Sequence, residues 1–198
     1  MQPPDLRGPR GKSATRHALL ALRDAMTAEE RAAASGVIGD AANALLATRL
    51  LRSGVLALYS AKGSEVETER IDAFARARGL VVAYPRVVDR KRTLAFHAVA
   101  LDELAPSRFG LREPSVDAPA VALEDIAVFM TPGLAFDRSG GRIGWGRGHY
   151  DATFAAASPG ALRVGLAFEC QLIDHVPREP HDALLHTIIT EVATYAVA

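Results

Sequence analysis

Val55-Leu-Ala-Leu-Tyr-Ser60 and Leu80-Val-Val-Ala-Tyr84 are short apolar runs of strand length, and the residues between them carry helical spacing. Ser64-Glu-Val-Glu67 has the form of a capping box, and Ile71, Phe74 and Ala75 recur on one helical face. Gly79 supplies a C-terminal stop, and Pro85 ends the second run. A strand, a crossing helix and a second strand in this order place the two strands parallel. Residues 55–84 therefore predict an α/β fold around a mostly parallel sheet.

Upstream, Leu19, Leu22 and Met26 predict a helix from about Lys12, on which Lys12, Arg16 and Arg23 share one face. Thr27-Ala-Glu-Glu30 is a second capping box, opening an alanine-rich helix to about Leu46. Downstream, strands are expected over 93–100, 126–130, 162–168 and 187–190, with a helix over 150–157. Residues 102–124 are broken by proline and read as irregular. The Pro- and Gly-rich residues 1–11 read as a flexible tail. Residues 12–198 read as a single three-layer domain, with a mostly parallel central sheet and helices on both faces.

Acidic and basic residues balance at 23 each, which argues against nucleic-acid or membrane-surface partners, since both select a basic excess. Nearly half of the residues are hydrophobic (49%), enough for a sizeable core, yet no apolar run approaches the length of a bilayer span. Cys170 is the single cysteine, so no internal disulfide forms; the thiol is expected to be buried, and the expected compartment is the cytoplasm.

Arg142-Ile-Gly-Trp-Gly-Arg-Gly-His-Tyr-Asp151 follows a strand and precedes a helix. Alternate glycines let backbone N–H groups approach an anion, a helix N-terminus adds a favourable dipole, and Arg142 and Arg147 add charge. Neither the lysine of a Walker loop nor the spacing of a dinucleotide fingerprint is present. By itself the segment is either an anion cradle or a glycine-rich turn. Asp151 is either a first-turn acid favoured by the helix dipole or a magnesium ligand beside phosphates. Lys12 and Arg16, one turn apart, read alone as a solvated face, and Glu65 and Glu67 read locally as capping acids. His175, His181, Asp182 and His186 match no zinc spacing.

Taken together, these segments resemble the 5-formyltetrahydrofolate cyclo-ligase family. The match is carried by Met130-Thr-Pro-Gly-Leu-Ala-Phe-Asp137 leading into Gly141–Asp151. Lys12 and Arg16, Glu65-Val-Glu-Thr68, Tyr84-Pro-Arg86, Phe109-Gly-Leu-Arg-Glu-Pro114, Gly165–Gln171, His181-Asp182 and Ile189-Thr-Glu191 add to it. The resemblance implies ATP-dependent conversion of 5-formyltetrahydrofolate to 5,10-methenyltetrahydrofolate, with ADP, phosphate and Mg2+, in one-carbon metabolism. It implies that Lys12, Arg16, Arg142, Gly144, Trp145, Gly146, Arg147, Gly148, His149 and Tyr150 bind ATP. Arg147 and Tyr150 would act in catalysis, Ser60 and Glu65 would bind the folate, and Asp151 and Asp182 would hold magnesium. The expected enzyme is a monomer acting on small molecules alone. His149 stands where relatives carry the first of two tyrosines, and Trp145, Arg147 and His186 also depart from the family pattern. A non-catalytic folate- or nucleotide-binding protein on the same scaffold is the alternative.

Overall fold

The computed structural model describes residues 9–49, 54–88, 91–180 and 182–197. Two helices open the chain, α1 (Pro9–Ala25) and α2 (Ala28–Arg49). β1 (Val55–Ala57), α3 (Glu69–Ala77) and β2 (Val81–Arg86) follow as a strand–helix–strand unit, with Val55 opposite Val81 and Ala57 opposite Ala83 in parallel register. Next come β3 (Ala95–Ala98), the short pair β4 (Ala105–Pro106) and β5 (Arg112–Glu113), and β6 (Ala120–Val121). β7 (Ile126–Thr131) leads into an antiparallel pair, β8 (Ala135–Phe136) and β9 (Arg142–Ile143), and then α4 (His149–Ala156). β10 (Leu162–Leu166), β11 (Thr187–Ile189) and β12 (Thr194–Ala196) complete the series.

The main sheet has eight strands in the order β12-β11-β10-β7-β1-β2-β3-β6. The pairs β11–β10, β10–β7, β7–β1 and β1–β2 are parallel, and antiparallel strands close both edges. One face packs Ile38, Ala42 and Leu46 of α2 and Ile71 and Ala75 of α3 against Leu56, Val82, Val128 and Val164. The other packs Phe154 of α4 against Ala57, Phe96, Phe129 and Ile188. Helices thus cover both faces. Strict alternation fails in β7, where Ile126 and Phe129 share one face while Val128 and Met130 share the other. A register shift opposite Val55 and Leu56 supplies the extra residue, as a bulge does.

The Thr27 capping box forms as expected: Thr27 N–H donates to Glu30 Oε2 at 2.7 Å and Glu30 N–H to Thr27 Oγ1 at 3.1 Å. The Ser64–Glu67 box does not form. α3 starts at Glu69, and Ser64 and Glu67 lie in a loop with tertiary partners. α1 opens at Pro9, inside the segment expected as tail; proline suits a first helical turn because its missing N–H has no intrahelical acceptor there. β6 and β12 escaped the sequence because strands of two or three half-exposed residues carry no periodic signal.

Gly165 lies where β10 meets the hairpin. A Cβ there would sit 2.7 Å from Leu185 Cδ1 and 2.8 Å from Phe136 Cε1. Gly165→Ala should therefore lower unfolding free energy by about 1–3 kcal/mol through overpacking. Urea unfolding checks this, with an unchanged midpoint as the contrary result.

Candidate functional site

The chain runs from β1 through α3 to β2 on one face of the sheet, and from β7 through α4 to β10 on the other. The crossovers diverge between β1 and β7, and such a switch point opens a crevice beyond the carboxyl ends of the strands. A cleft of about 570 Å³ lies there. Tyr59, Ser60, Lys62 and Glu65 line it after β1, Pro85 and Val87 at the end of β2, and Pro132 and residues 142–151 after β7.

The basic face of α1 turns inward. Lys12 and Arg16 line the cleft. Arg23 is only 2% exposed, its Nε donating to Ser64 Oγ at 2.9 Å and its Nη1 to the Gly133 carbonyl at 3.3 Å. These bonds tie α1 to the loops that follow β1 and β7. Tyr59 Oη donates to the Val66 carbonyl, Thr68 Oγ1 to the Tyr59 carbonyl, and Glu67 N–H to Ser35 Oγ. The local capping box loses to these long-range partners. Glu65 is left buried, with Oε2 accepting from Lys62 N–H at 3.0 Å.

The glycine-rich segment forms the opposite wall. Gly146 and Gly148 have φ of +87° and +67°, a backbone region that side chains disfavour. A Cβ on Gly146 would also come within 3.1 Å of Arg16 Nη2. Arg16 Nε donates to the Gly144 carbonyl at 2.9 Å, tying α1 to the loop. Gly148 is the N-cap of α4, whose first-turn N–H groups lack intrahelical acceptors. His149 Nδ1 lies 2.7 Å from the Arg92 carbonyl, which only accepts, so that nitrogen carries the proton. The histidine thereby pins the start of α4 to the neighbouring loop.

Charges are paired across the cleft. Lys12 Nζ bonds Asp182 Oδ2 at 2.8 Å and Glu179 Oε1 at 3.1 Å. Burial alone would lower the pKa of this ammonium, but the two carboxylates together hold it above its ordinary value. Arg142, with 5% of its side chain exposed, bonds Asp151 Oδ1 at 3.0 Å and lies 5.2 Å from the Tyr150 ring centroid. Burial pushes the Tyr150 phenol far above its usual range, although the nearby Arg142 charge pulls the other way. Tyr150 is therefore a neutral hydrogen-bonding group. Burial also raises the Glu65 carboxyl above the usual carboxylate range, opposed by the Lys62 N–H, the Arg23 charge and the Trp145 N–H.

All the site residues expected from sequence line this one cleft: Lys12, Arg16, Ser60, Glu65, Arg142, Gly144 to Asp151, and Asp182. Sequence reasoning missed Lys62 and Glu179 and gave Arg23 no role. Lys62 and Glu179 have no local pattern, while the position of Arg23 on the face of Lys12 and Arg16 was a usable signal. His186 is structural, bridging to Arg163 through Nδ1 at 3.0 Å and Nε2 at 2.8 Å. His181 lies outside the described residues. Cys170 is exposed, contrary to expectation, because it sits on a surface turn after β10.

The model of the 5-formyltetrahydrofolate cyclo-ligase family matches residues 9–191. The 5-formyltetrahydrofolate cyclo-ligase of Mycolicibacterium smegmatis is 39% identical over 88 residues, 44% of this chain and 45% of that protein. Matches to the first curated relatives span about half of their lengths. Among solved structures, the 5,10-methenyltetrahydrofolate synthetase of Aquifex aeolicus superposes with a TM-score of 0.79 at 26% identity, covering 94% of this chain and 92% of that one. The 5,10-methenyltetrahydrofolate synthetase of Mycoplasma pneumoniae shares the fold, with a TM-score of 0.76 at 22% identity, covering 91% and 98%. With a match from the first described helix to beyond the last parallel strand, the chain belongs to the 5-formyltetrahydrofolate cyclo-ligase family.

Proposed function

We propose that this protein is a 5-formyltetrahydrofolate cyclo-ligase, converting 5-formyltetrahydrofolate and ATP to 5,10-methenyltetrahydrofolate, ADP and phosphate. The supporting observation is the convergence of Lys12, Arg16 and residues 142–151 on the same cleft as Ser60 and Glu65. The formyl oxygen attacks the γ-phosphorus, an O–P bond forms, and ADP leaves. N10 then attacks the activated carbon and loses its proton, and the C–O bond breaks to release phosphate as the ring closes. A formyl oxygen is a poor leaving group until phosphorylated, so ATP supplies the driving force. The protein contributes alignment and charge stabilisation.

Lys12, Arg16 and Arg142 bind the phosphates in this assignment, together with the loop of Gly144, Trp145, Gly146, Arg147, Gly148, His149 and Tyr150. Arg147 meets charge developing on the transferring phosphoryl group, and neutral Tyr150 donates toward the formyl oxygen. Ser60 and Glu65 hold the folate. Among the described residues no three His, Cys, Asp or Glu side chains converge as a metal cage. Magnesium needs only one or two carboxylates beside phosphate and water oxygens, and Asp151 and Asp182 fit that donor set. Bound there, the ion would neutralise phosphate charge. Both carboxylates are paired with cations, Arg142 and Lys12. With magnesium bound, Asp151 and Asp182 would hold the ion, and Arg142 and Lys12 would turn to the phosphates. The proposal extends to a cytoplasmic monomer acting on small molecules alone, without nucleic-acid or membrane partners.

The decisive assay follows methenyl-folate absorbance with Mg-ATP and 5-formyltetrahydrofolate, alongside ADP release. Stoichiometric growth of both is expected, and folded protein giving neither rejects the function. Glu65 adds a pH signature. Its raised pKa means that lowering pH protonates it earlier than an ordinary carboxyl. KM for the folate should therefore rise as pH falls, beginning above the usual carboxylate range. Glu65→Gln should raise this KM by roughly tenfold to a hundredfold and abolish that pH limb, the scale of losing a charged hydrogen bond. An unchanged profile would remove Glu65 from folate binding.

A further inference from the structure

Asp137 follows β8 and opens the hairpin turn Asp137-Arg-Ser-Gly-Gly141, and it is completely buried. A buried carboxylate is tolerated only where donors replace its water. Oδ1 accepts from Ser139 N–H at 2.9 Å, Ser139 Oγ at 2.6 Å and Gly141 N–H at 2.9 Å, all within the turn. Oδ2 instead accepts from Val176 N–H at 2.7 Å, 39 positions along the chain. Burial alone would raise the pKa of this carboxyl, but the bonds from Ser139, Val176 and Gly141 hold it below its ordinary value.

Val176 belongs to an arm. Residues 173–180 and 182–186, which lead into β11, form no helix or strand. Single bonds rather than a backbone ladder must therefore place them. The base of the arm is fastened to the hairpin. Besides the Val176 bond, Ile173 N–H donates to the Phe136 carbonyl, Arg178 Nη2 to Ser139 Oγ, and Leu185 N–H to the Gly140 carbonyl. The arm carries Glu179 and Asp182, which hold Lys12, and Ala183 N–H points at Asp151 Oδ1 across 3.4 Å. The hairpin itself continues into Arg142. Two glycines admit so close an approach. A Cβ on Gly141 would sit 2.7 Å from Asp137 Oδ2 and 2.9 Å from Val176 Cβ, and one on Gly140 would sit 2.6 Å from the Leu185 carbonyl oxygen.

The geometry points to Asp137 as a positioning residue: its buried carboxylate clamps the arm to the hairpin, which sets Asp182 and Lys12 in the same cleft as Arg142 and Asp151. One carboxylate oxygen shapes the hairpin turn and the other places the arm. Ser60 and Glu65 are carried by the loop after β1, apart from both segments. The clamp thus serves the magnesium and phosphate end of the cleft. The inference rests on the cyclo-ligase function and the magnesium ligands proposed above.

Asp137→Asn keeps Oδ1 for the turn but sets an amide N–H against Val176 N–H, so the hairpin stays and the arm comes loose. The magnesium concentration for half-maximal rate should rise by about tenfold or more, the scale of losing a partner that orients a metal ligand. Saturating magnesium should restore kcat to within about threefold, and KM for 5-formyltetrahydrofolate should stay within about twofold. Trypsin should cut the folded variant after Arg178 at least about tenfold faster than wild type, a readout independent of turnover. Gly141→Ala drives a methyl between Asp137 and Val176 and should give the same pattern. A folded variant with an unchanged magnesium requirement, unchanged cleavage after Arg178, or a folate KM that rises as much as the magnesium requirement overturns the proposal. Should both variants fail to fold, hydrogen exchange of the wild-type protein decides. The Val176 amide should exchange as slowly as those of β7, and fast exchange there overturns the clamp. Wild-type protein that never cyclises the folate refutes the cyclo-ligase function, whereas cleavage and exchange still judge the clamp.

Discussion

Arg147→Ala should lower kcat by about a thousandfold or more, the effect of removing a cation that meets transferring phosphoryl charge. Arg147 is exposed in the cleft wall between two glycines of positive φ, on the loop before α4. It lies outside the apolar cores, so the thermal midpoint should hardly move. In the role proposed for it, the charge would be needed most as the γ-phosphoryl separates from ADP. The loss therefore falls on kcat, and KM for ATP should change by less than about threefold. Arg147→Lys keeps the charge without the planar fork and should recover part of the rate. Steady-state kinetics with both substrates and a melting curve test this. A kcat within tenfold of wild type removes Arg147 from the transfer step.

Asp151 has the second large effect, and its variants need separating. Asp151→Ala takes the partner from Arg142, whose side chain is 5% exposed. Breaking a buried pair on one side costs about 3–5 kcal/mol, so loss of turnover in that variant would mix misfolding with chemistry. The Tyr150 and Phe154 rings, with centroids 5.2 and 5.8 Å from Arg142 Cζ, offset part of that cost. Asp151→Asn keeps an oxygen for the guanidinium and loses the negative charge. It should fold, lose about a hundredfold to a thousandfold in kcat, and require more magnesium for half-maximal rate. Magnesium titration of the folded variant is the measurement. An unshifted magnesium requirement with full kcat removes Asp151 as a ligand.

Much of the site was legible because glycine and charge patterns are local. Alternate glycines between a strand and a helix mark a loop whose backbone approaches something closely, whatever the rest of the chain does. Residues 142–151 read either as such a loop or as a glycine-rich turn, and the positive φ of Gly146 and Gly148 shows where the backbone requires glycine. Glu65 shows the limit. Ser64-Glu-Val-Glu67 fits a capping box by every local rule, but Arg23, Ser35 and Tyr59 offer its groups tertiary partners. The helix starts later, and Glu65 becomes a buried carboxylate at the cleft. Arg23 shows the reverse. It shares a helical face with Lys12 and Arg16, a stripe that alone reads as solvated, and only packing against β8 and the loop after β1 turns it inward.

Local periodicity was enough to specify the parallel core, since residues 55–84 spell strand, helix and strand, and periodicity is a property of the backbone. The sequence by itself also marked the glycine-rich loop and the family. The tertiary structure alone decided which charges meet. Lys12 pairs with Asp182 across 170 positions, and Trp145 reaches Glu65 across 80. No local rule encodes such pairs. They arise because the two crossovers diverge between β1 and β7, and the loops beyond those strand ends must share one crevice.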